Sequence, residues 1–178
     1  GNGPVDIGII KLSPDGSSRM YATYIGGSGN EQPHSLIVDN QGNLILAGRS
    51  SSPNYPLRNP NSSASQIGAG GGFDIVVTKL NSTDIDLIES KKIGSSGDDG
   101  VNISITRGLN SLQRNYGDDG RSEVILDGAG NVYVASSTQS TNFPVTGGAF
   151  QSTSGGGAQD GVVLKLAPDL SSLTFASF

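Results

Sequence analysis

Asp6-Ile7-Gly8-Ile9-Ile10-Lys11-Leu12 returns as Asp74-Ile75-Val76-Val77-Thr78-Lys79-Leu80, and again as Asp160-Gly161-Val162-Val163-Leu164-Lys165-Leu166. A second signature recurs between these copies: Asp39-Asn40-Gln41-Gly42-Asn43-Leu44-Ile45-Leu46 matches Asp127-Gly128-Ala129-Gly130-Asn131-Val132-Tyr133-Val134. Self-similarity over such distances is the mark of a stacked or circular repeat architecture, because one unit alone cannot bury its apolar face.

The two periods differ in length. The excess, about twenty residues, lies between Gly94 and Asp127, and two copies of one tetrapeptide bracket it: Gly97-Asp98-Asp99-Gly100 and Gly117-Asp118-Asp119-Gly120. A local duplication and an inserted hairpin both account for it.

Within each period the pattern reads as four short strands. The first is Ile7 to Leu12, Ile75 to Leu80 or Val162 to Leu166, apolar on both faces apart from its Lys or Thr, as expected of a strand between two layers. A polar turn follows, then a second strand at Met20 to Ile25, Leu87 to Ile93 or from Leu173 onward. The third is Ser35 to Val38 or Glu123 to Leu126. An Asp-x-x-Gly-Asn turn leads to the fourth, Leu44 to Gly48 or Val132 to Ser136. No segment carries sustained helical periodicity.

Composition agrees. The 178 residues include 27 Gly, and only 34% are hydrophobic. That suits many short strands and tight turns, since Gly adopts positive φ without penalty and weakens helices. A net charge of −5 argues against nucleic acid, whose phosphates call for Lys and Arg. The absence of Cys excludes disulfides, thiolate nucleophiles and Cys-ligated zinc.

Four antiparallel strands, repeated, are the plan of a β-propeller blade. The expected fold is all-β: a β-propeller fragment of about two four-stranded antiparallel blades plus the start of a third. The units are 1–73, 74–159 with its insertion around 97–121, and 160–178 as the truncated third. Because rings of this type use roughly four to eight blades, the remaining blades are expected from the parent chain or from further copies of this one. The chain therefore reads as a piece of something larger.

Four stretches carry a family resemblance: Asp74 to Leu80; Tyr21-Ala22-Thr23-Tyr24-Ile25-Gly26-Gly27-Ser28-Gly29-Asn30-Glu31; Val38-Asp39 with Gly42-Asn43; and Asn142-Phe143-Pro144-Val145-Thr146-Gly147-Gly148-Ala149-Phe150-Gln151. In that order they resemble the bacterial β-propeller repeat called SBBP. The resemblance implies a propeller within a large secreted or cell-surface bacterial protein, and it implies no particular activity. The first unit departs from the pattern with Ala64-Ser65-Gln66 in place of Ala-Phe-Gln.

Alternating strand directions put the insertion and the long loops, Ser50 to Phe73 and Ser137 to Gln159, on one end, where a rigid scaffold carries its binding residues. The candidate binding residues there are Tyr55, Asp98, Asp99, Tyr116, Asp118, Asp119 and Phe143. Asp98, Asp99, Asp118 and Asp119 are also the candidate ligands for Ca²⁺, a hard cation that takes clustered carboxylates. They lack the twelve-residue EF-hand spacing, and the plainer reading takes them as solvated turn residues, since Asp and Gly are what turns use. No other cofactor is expected. Tyr55 and Phe143, each followed by Pro, together with Phe150, also read as pegs pinning a loop to the sheet.

Lys11, Lys79 and Lys165 recur at one strand position. If that strand lines a central channel they form a cationic ring; the plainer reading has each lysine pairing with a neighbour. His34, the only histidine, reads as structural. The Gly-rich stretches lack the Lys-Ser/Thr of a phosphate loop, and no Gly-x-Ser-x-Gly elbow surrounds Ser28, Ser95 or Ser96.

The functional expectation is a non-enzymatic adhesion, scaffolding or protein-binding segment of a secreted or cell-surface protein. Its expected partners are other blades and a protein or surface glycan, with no nucleic acid and no membrane span. The alternative is a polysaccharide-binding or glycan-processing propeller using loop carboxylates such as Asp98 or Asp119.

Overall fold

The computed structural model describes residues 3–58, 65–83, 86–100 and 122–178. These build eleven strands: β1 (Ile7–Leu12), β2 (Arg19–Ile25), β3 (Glu31–Val38), β4 (Leu44–Ser50), β5 (Gln66–Ile67), β6 (Asp74–Leu80), β7 (Leu87–Ile93), β8 (Glu123–Leu126), β9 (Val132–Thr138), β10 (Asp160–Leu166) and β11 (Leu173–Ser177). No helix is present among the described residues, so none there is long and apolar enough to cross a membrane.

The strands form three sheets. β1 pairs only with β2. β3-β4-β6-β7 is an antiparallel run extended by the two-residue β5, which runs parallel to β7. β8-β9-β10-β11 is a second antiparallel run of four. The strands that pair are therefore not the four of one sequence repeat. Each four-strand run joins the last two strands of one repeat to the first two of the next, across the boundaries at 73/74 and 159/160. The register is continuous through these joints: Leu44 faces Leu80 and Ser50 faces Asp74, while Val132 faces Leu166 and Thr138 faces Asp160.

The sheets stack face on face. In β4 and β6 every residue is buried, because alternate side chains serve different layers. Ile45, Ala47, Ile75 and Val77 pack with Val124, Val132, Val134, Val162, Leu164 and Leu166 of the following sheet. Leu44, Leu46, Val76 and Leu80 pack with Ile7, Ile9 and Ile25 of the preceding one. Each such side chain, fully buried, contributes roughly 1.5–3 kcal/mol relative to exposure. The repeat is thus also a packing rule: the face that Val162, Leu164 and Leu166 turn to their predecessor is the face of Val76 and Leu80.

Neighbouring sheets also meet edge to edge, at β3 and β8. His34 Nδ1 lies 3.0 Å from Ser122 Oγ, and Ser35 Oγ donates to Glu123 Oε2 at 3.3 Å. Of the two readings of the recurring lysines, the strand order is against the ring, and Lys79 and Lys165 pair with neighbours as the plainer reading had it. The strand carrying Lys79 or Lys165 is interior to its sheet, bonded on both sides, and cannot line a channel.

The antiparallel order places the described parts of the long connections at one end. Gly97 N donates to Ser140 Oγ at 2.9 Å, and Asp99 N to the Phe73 carbonyl at 2.7 Å, tying three connections together there. The short turns 13–18, 39–43, 127–131 and 167–172 occupy the other end, where Asn81 N also donates to the Asp86 carbonyl.

Candidate functional site

The loop-bearing end is held by a device built twice. Glu31 and Asp99 stand five residues after Gly26 and Gly94, and both carboxylates are buried. Glu31 Oε2 accepts from Gly27 N at 2.9 Å, while its Oε1 accepts from Ser50 Oγ at 2.6 Å and Ser52 Oγ at 2.5 Å. Asp99 Oδ2 accepts from Ser95 N at 2.7 Å and Ser140 Oγ at 3.1 Å, and its Oδ1 accepts from the Thr138 hydroxyl. Ser52 Oγ also accepts from Gly29 N, as Ser140 Oγ does from Gly97 N. Ser28 and Ser96 hydroxyls donate to Asn54 and Asn142 at 2.9 Å in both copies. The Gly-rich loop and the Ser-x-x-x-Asn loop are two halves of one clasp.

Gly26 and Gly94 are required by close approach. A Cβ on Gly94 would strike the carboxylates of Asp74 and Asp99, and one on Gly26 those of Asp6 and Glu31. Burial raises the Asp99 carboxyl above its ordinary pKa, and the Asp74 charge adds to this; the three hydrogen bonds oppose it. Asp74 is ion-paired to Lys92 at 2.9 Å, both buried, and Lys92 Nζ also donates to the Ser52 carbonyl at 3.0 Å.

Of the expected binding residues, Tyr55 and Phe143 are each only 3% exposed. They are pegs, not surface contacts. Tyr55 Oη lies 2.8 Å from Thr78 Oγ1, and Phe143 packs edge-on to Phe178 with ring centroids 6.3 Å apart. Asp98 and Asp99 are adjacent but diverge: half-buried Asp98 accepts from Phe73 N at 2.9 Å, holding the 51–73 connection, while Asp99 holds the 139–140 segment. Tyr116, Asp118 and Asp119 lie outside the described residues. Among the described residues no group of three or more His, Cys, Asp or Glu side chains is placed to hold a metal ion. Phe150 does not act as a peg: at 94% exposed it is the most accessible large apolar side chain among the described residues of the loop-bearing end.

The opposite end carries the lysines. Asp39 Oδ1 accepts from Gln41 N and Asn43 N at 2.9 and 2.8 Å, and its Oδ2 meets Lys79 Nζ at 2.8 Å. Gly42, at φ 83°, closes this turn with a backbone conformation that glycine adopts at no cost. Desolvation alone would raise the Asp39 pKa; the bonds from Lys79 and Asn43 outweigh it and hold the group below the ordinary carboxylate range. Lys79 Nζ also donates to the Pro168 carbonyl of the next sheet at 2.9 Å. Asp127 repeats the turn, with Lys165 at 3.8 Å and both partners about one-third exposed. Its carboxyl is lowered first by the Asn131 side chain. A polar cleft of about 250 Å³ between the two turns is lined by Asp39, Lys79, Asp127, Gly130 and Pro168.

Sequence reading missed the clasp, although its signal was present: Ser28 and Ser96 each stand two residues after Gly26 and Gly94, and Asn54 and Asn142 each two after Ser52 and Ser140. It also missed Glu89 and Lys91, a buried ion pair at 2.9 Å.

Comparison with protein-family models and with curated proteins gives no match.

Proposed function

We propose that this chain is a segment of a β-propeller in a secreted or cell-surface bacterial protein, serving as an adhesion, scaffolding or protein-binding module through its loop-bearing end. The observation that carries the reading is the twice-built clasp. Buried carboxylates, serines and asparagines are spent on fixing the long connections to a stack of sheets, the arrangement that rigidly presents loops to a partner. The face-to-face stacking in a constant sense supports the propeller geometry, since each sheet offers its successor the same surface. Asp98 and Asp99 serve as loop anchors, which supports a scaffold over the glycan-processing alternative.

The test is binding of the fluorescently labelled chain to bacterial cells and immobilised surface proteins. Phe150→Ser, at the loop-bearing end, should weaken capture, while Asn40→Ala, at the turn end, should not. Equal binding by both variants would defeat the proposal, and release of reducing sugar from a polysaccharide panel would favour the alternative.

A further inference from the structure

The three recurring lysines occupy three different surroundings, and the difference identifies a missing element. Lys79 lies in a strand paired on both sides, has the aspartate turn of its own sheet, and has a following sheet to reach. Lys165 has the paired strand and the aspartate turn, but no sheet follows it, and its pair is looser. Lys11 has a following sheet, but among the described residues β1 is bonded on one side only. Among the described residues Lys11 forms no ion pair; its ammonium lies over the Tyr21 ring, 5.6 Å from the centroid. What β1 lacks is the hairpin that β3-β4 supplies to β6 and β8-β9 supplies to β10.

The empty place has a definite shape. A groove of about 630 Å³ runs along the open edge of β1, lined by Ile7, Ile9, Leu36, Val38 and Leu46, with Lys11 at the turn end. Repeat equivalence shows that it is a place for a strand pair. Leu36 stands at the position of Val124, yet Leu36 is 62% exposed where Val124 is 4%. Val124 is covered because the β3-β4 hairpin lies against it; Leu36 faces the same location one sheet earlier, where none lies. An unpaired strand edge beside an apolar wall is a template for strand addition.

We propose that the open edge of β1 is an acceptor for a β-hairpin of this chain's own repeat type. The hairpin pairs antiparallel with β1, lays alternate apolar residues on Leu36 and Val38, and brings the aspartate of an Asp-x-x-Gly-Asn turn to Lys11. The register follows from the two complete sheets: the second residue of its second strand, at the place of Ile45 or Tyr133, faces Lys11, as those face Lys79 and Lys165. This deepens the module reading by naming its partner at this edge, and it rests on sheet equivalence without requiring that a ring close.

A synthetic peptide spanning Ser122–Thr138 is the probe, since it carries the complete hairpin with Asp127. Labelled peptide is titrated into the full chain by fluorescence anisotropy, and amide hydrogen exchange locates it. The expected result is saturable binding with new protection in β1. Asp127→Lys in the peptide, or Lys11→Glu in the chain, should each weaken binding roughly fivefold, and the two together should restore it. No binding by chain shown folded by circular dichroism would overturn the proposal. So would binding indifferent to both charge changes, or protection confined to β10, which marks exchange of the peptide for the chain's own β8-β9. A second construction reads the same place without a free peptide: residues 122–138 fused ahead of Gly1 through a flexible linker should raise the melting temperature, and the rise should shrink with Lys11→Glu. These readouts concern one edge; loss of cell binding in the Phe150 variant would leave them unchanged, so the two proposals fail separately.

Discussion

Tyr55 Oη lies 2.8 Å from Thr78 Oγ1, and the next repeat places Phe143 and Leu164 at these two positions. Where the peg has a hydroxyl, its strand partner has one; where the peg has none, the strand carries a hydrocarbon. All four side chains are buried. Tyr55→Phe would strand the Thr78 hydroxyl, and Thr78→Val would strand that of Tyr55, each costing about 1–2 kcal/mol. The double variant recreates the apolar character of the later repeat and should cost less than the sum, with a coupling of about 1 kcal/mol. Urea denaturation of the four proteins measures it; additive losses would show that the hydroxyls do not depend on each other.

The lysine positions predict unequal losses. Lys79 is buried with Asp39 and is shared with the next sheet through Pro168, so Lys79→Met leaves a buried carboxylate without its cation and should cost about 2–3 kcal/mol. Lys165→Met removes a longer, solvent-screened pair and should shift the melting temperature much less. Equal shifts by thermal denaturation would contradict the assignment of Lys79 to a position between sheets.

Most of the strands were legible because each carries its motif: the Lys-Leu strand, the Asp-x-x-Gly-Asn hairpin and the aromatic-Pro peg read the same in every copy. The grouping of strands into sheets was not. β4 and β6 are separated by a long connection, and nothing in its composition tells whether β6 returns to β4 or opens a new sheet. That one choice decided whether Lys79 sat on an edge strand or inside a sheet. The candidate site suffered from a similar ambiguity. Asp98-Asp99 in a Gly-flanked loop looks the same in sequence whether its carboxylates face solvent, a cation or backbone amides. Glu89-Ser90-Lys91-Lys92 is buried by a neighbouring connection, and such burial leaves no local signature. Repeat comparison corrects some of this, since Glu31 and Asp99 share one spacing from Gly26 and Gly94.

His34 makes stability depend on pH. Burial lowers its pKa to about 4 from 6.5, and the Arg49 charge adds to the effect. Between these values the unfolded chain takes up a proton that the folded chain refuses, so stability falls as pH drops from 6.5 toward 4 and levels off below. The loss should reach about 2 kcal/mol, the full shift being reduced by the partial exposure of the ring. Asp99, with its raised carboxyl, acts in the opposite direction, since its contribution weakens as pH rises from 3.8 through its folded value. The difference between the parent and His34→Gln therefore isolates the histidine: the variant should lose less stability over this window in denaturant titrations at stepped pH. Parallel profiles would assign the acid sensitivity elsewhere.

Gly94→Ala tests the clasp directly. The added methyl meets the carboxylates of Asp74 and Asp99 in a site with no slack, because both groups are buried, Asp99 held by three hydrogen bonds and Asp74 paired with Lys92. Relief requires one carboxylate to abandon its partners, so the cost should be about 2–4 kcal/mol. Gly26→Ala meets Asp6 and Glu31 in the same relation and should cost a similar amount. Gly128→Ala is the control: nothing lies within 4 Å of the new methyl, and Gly128 does not have a positive φ, so stability should change by less than about 0.5 kcal/mol. Near-equal losses at 26 and 94 would show that one clasp is built twice. A loss at 94 with none at 26 would mean that Glu31 can yield where Asp99 cannot, and the two loop anchors would then have to be treated as different devices.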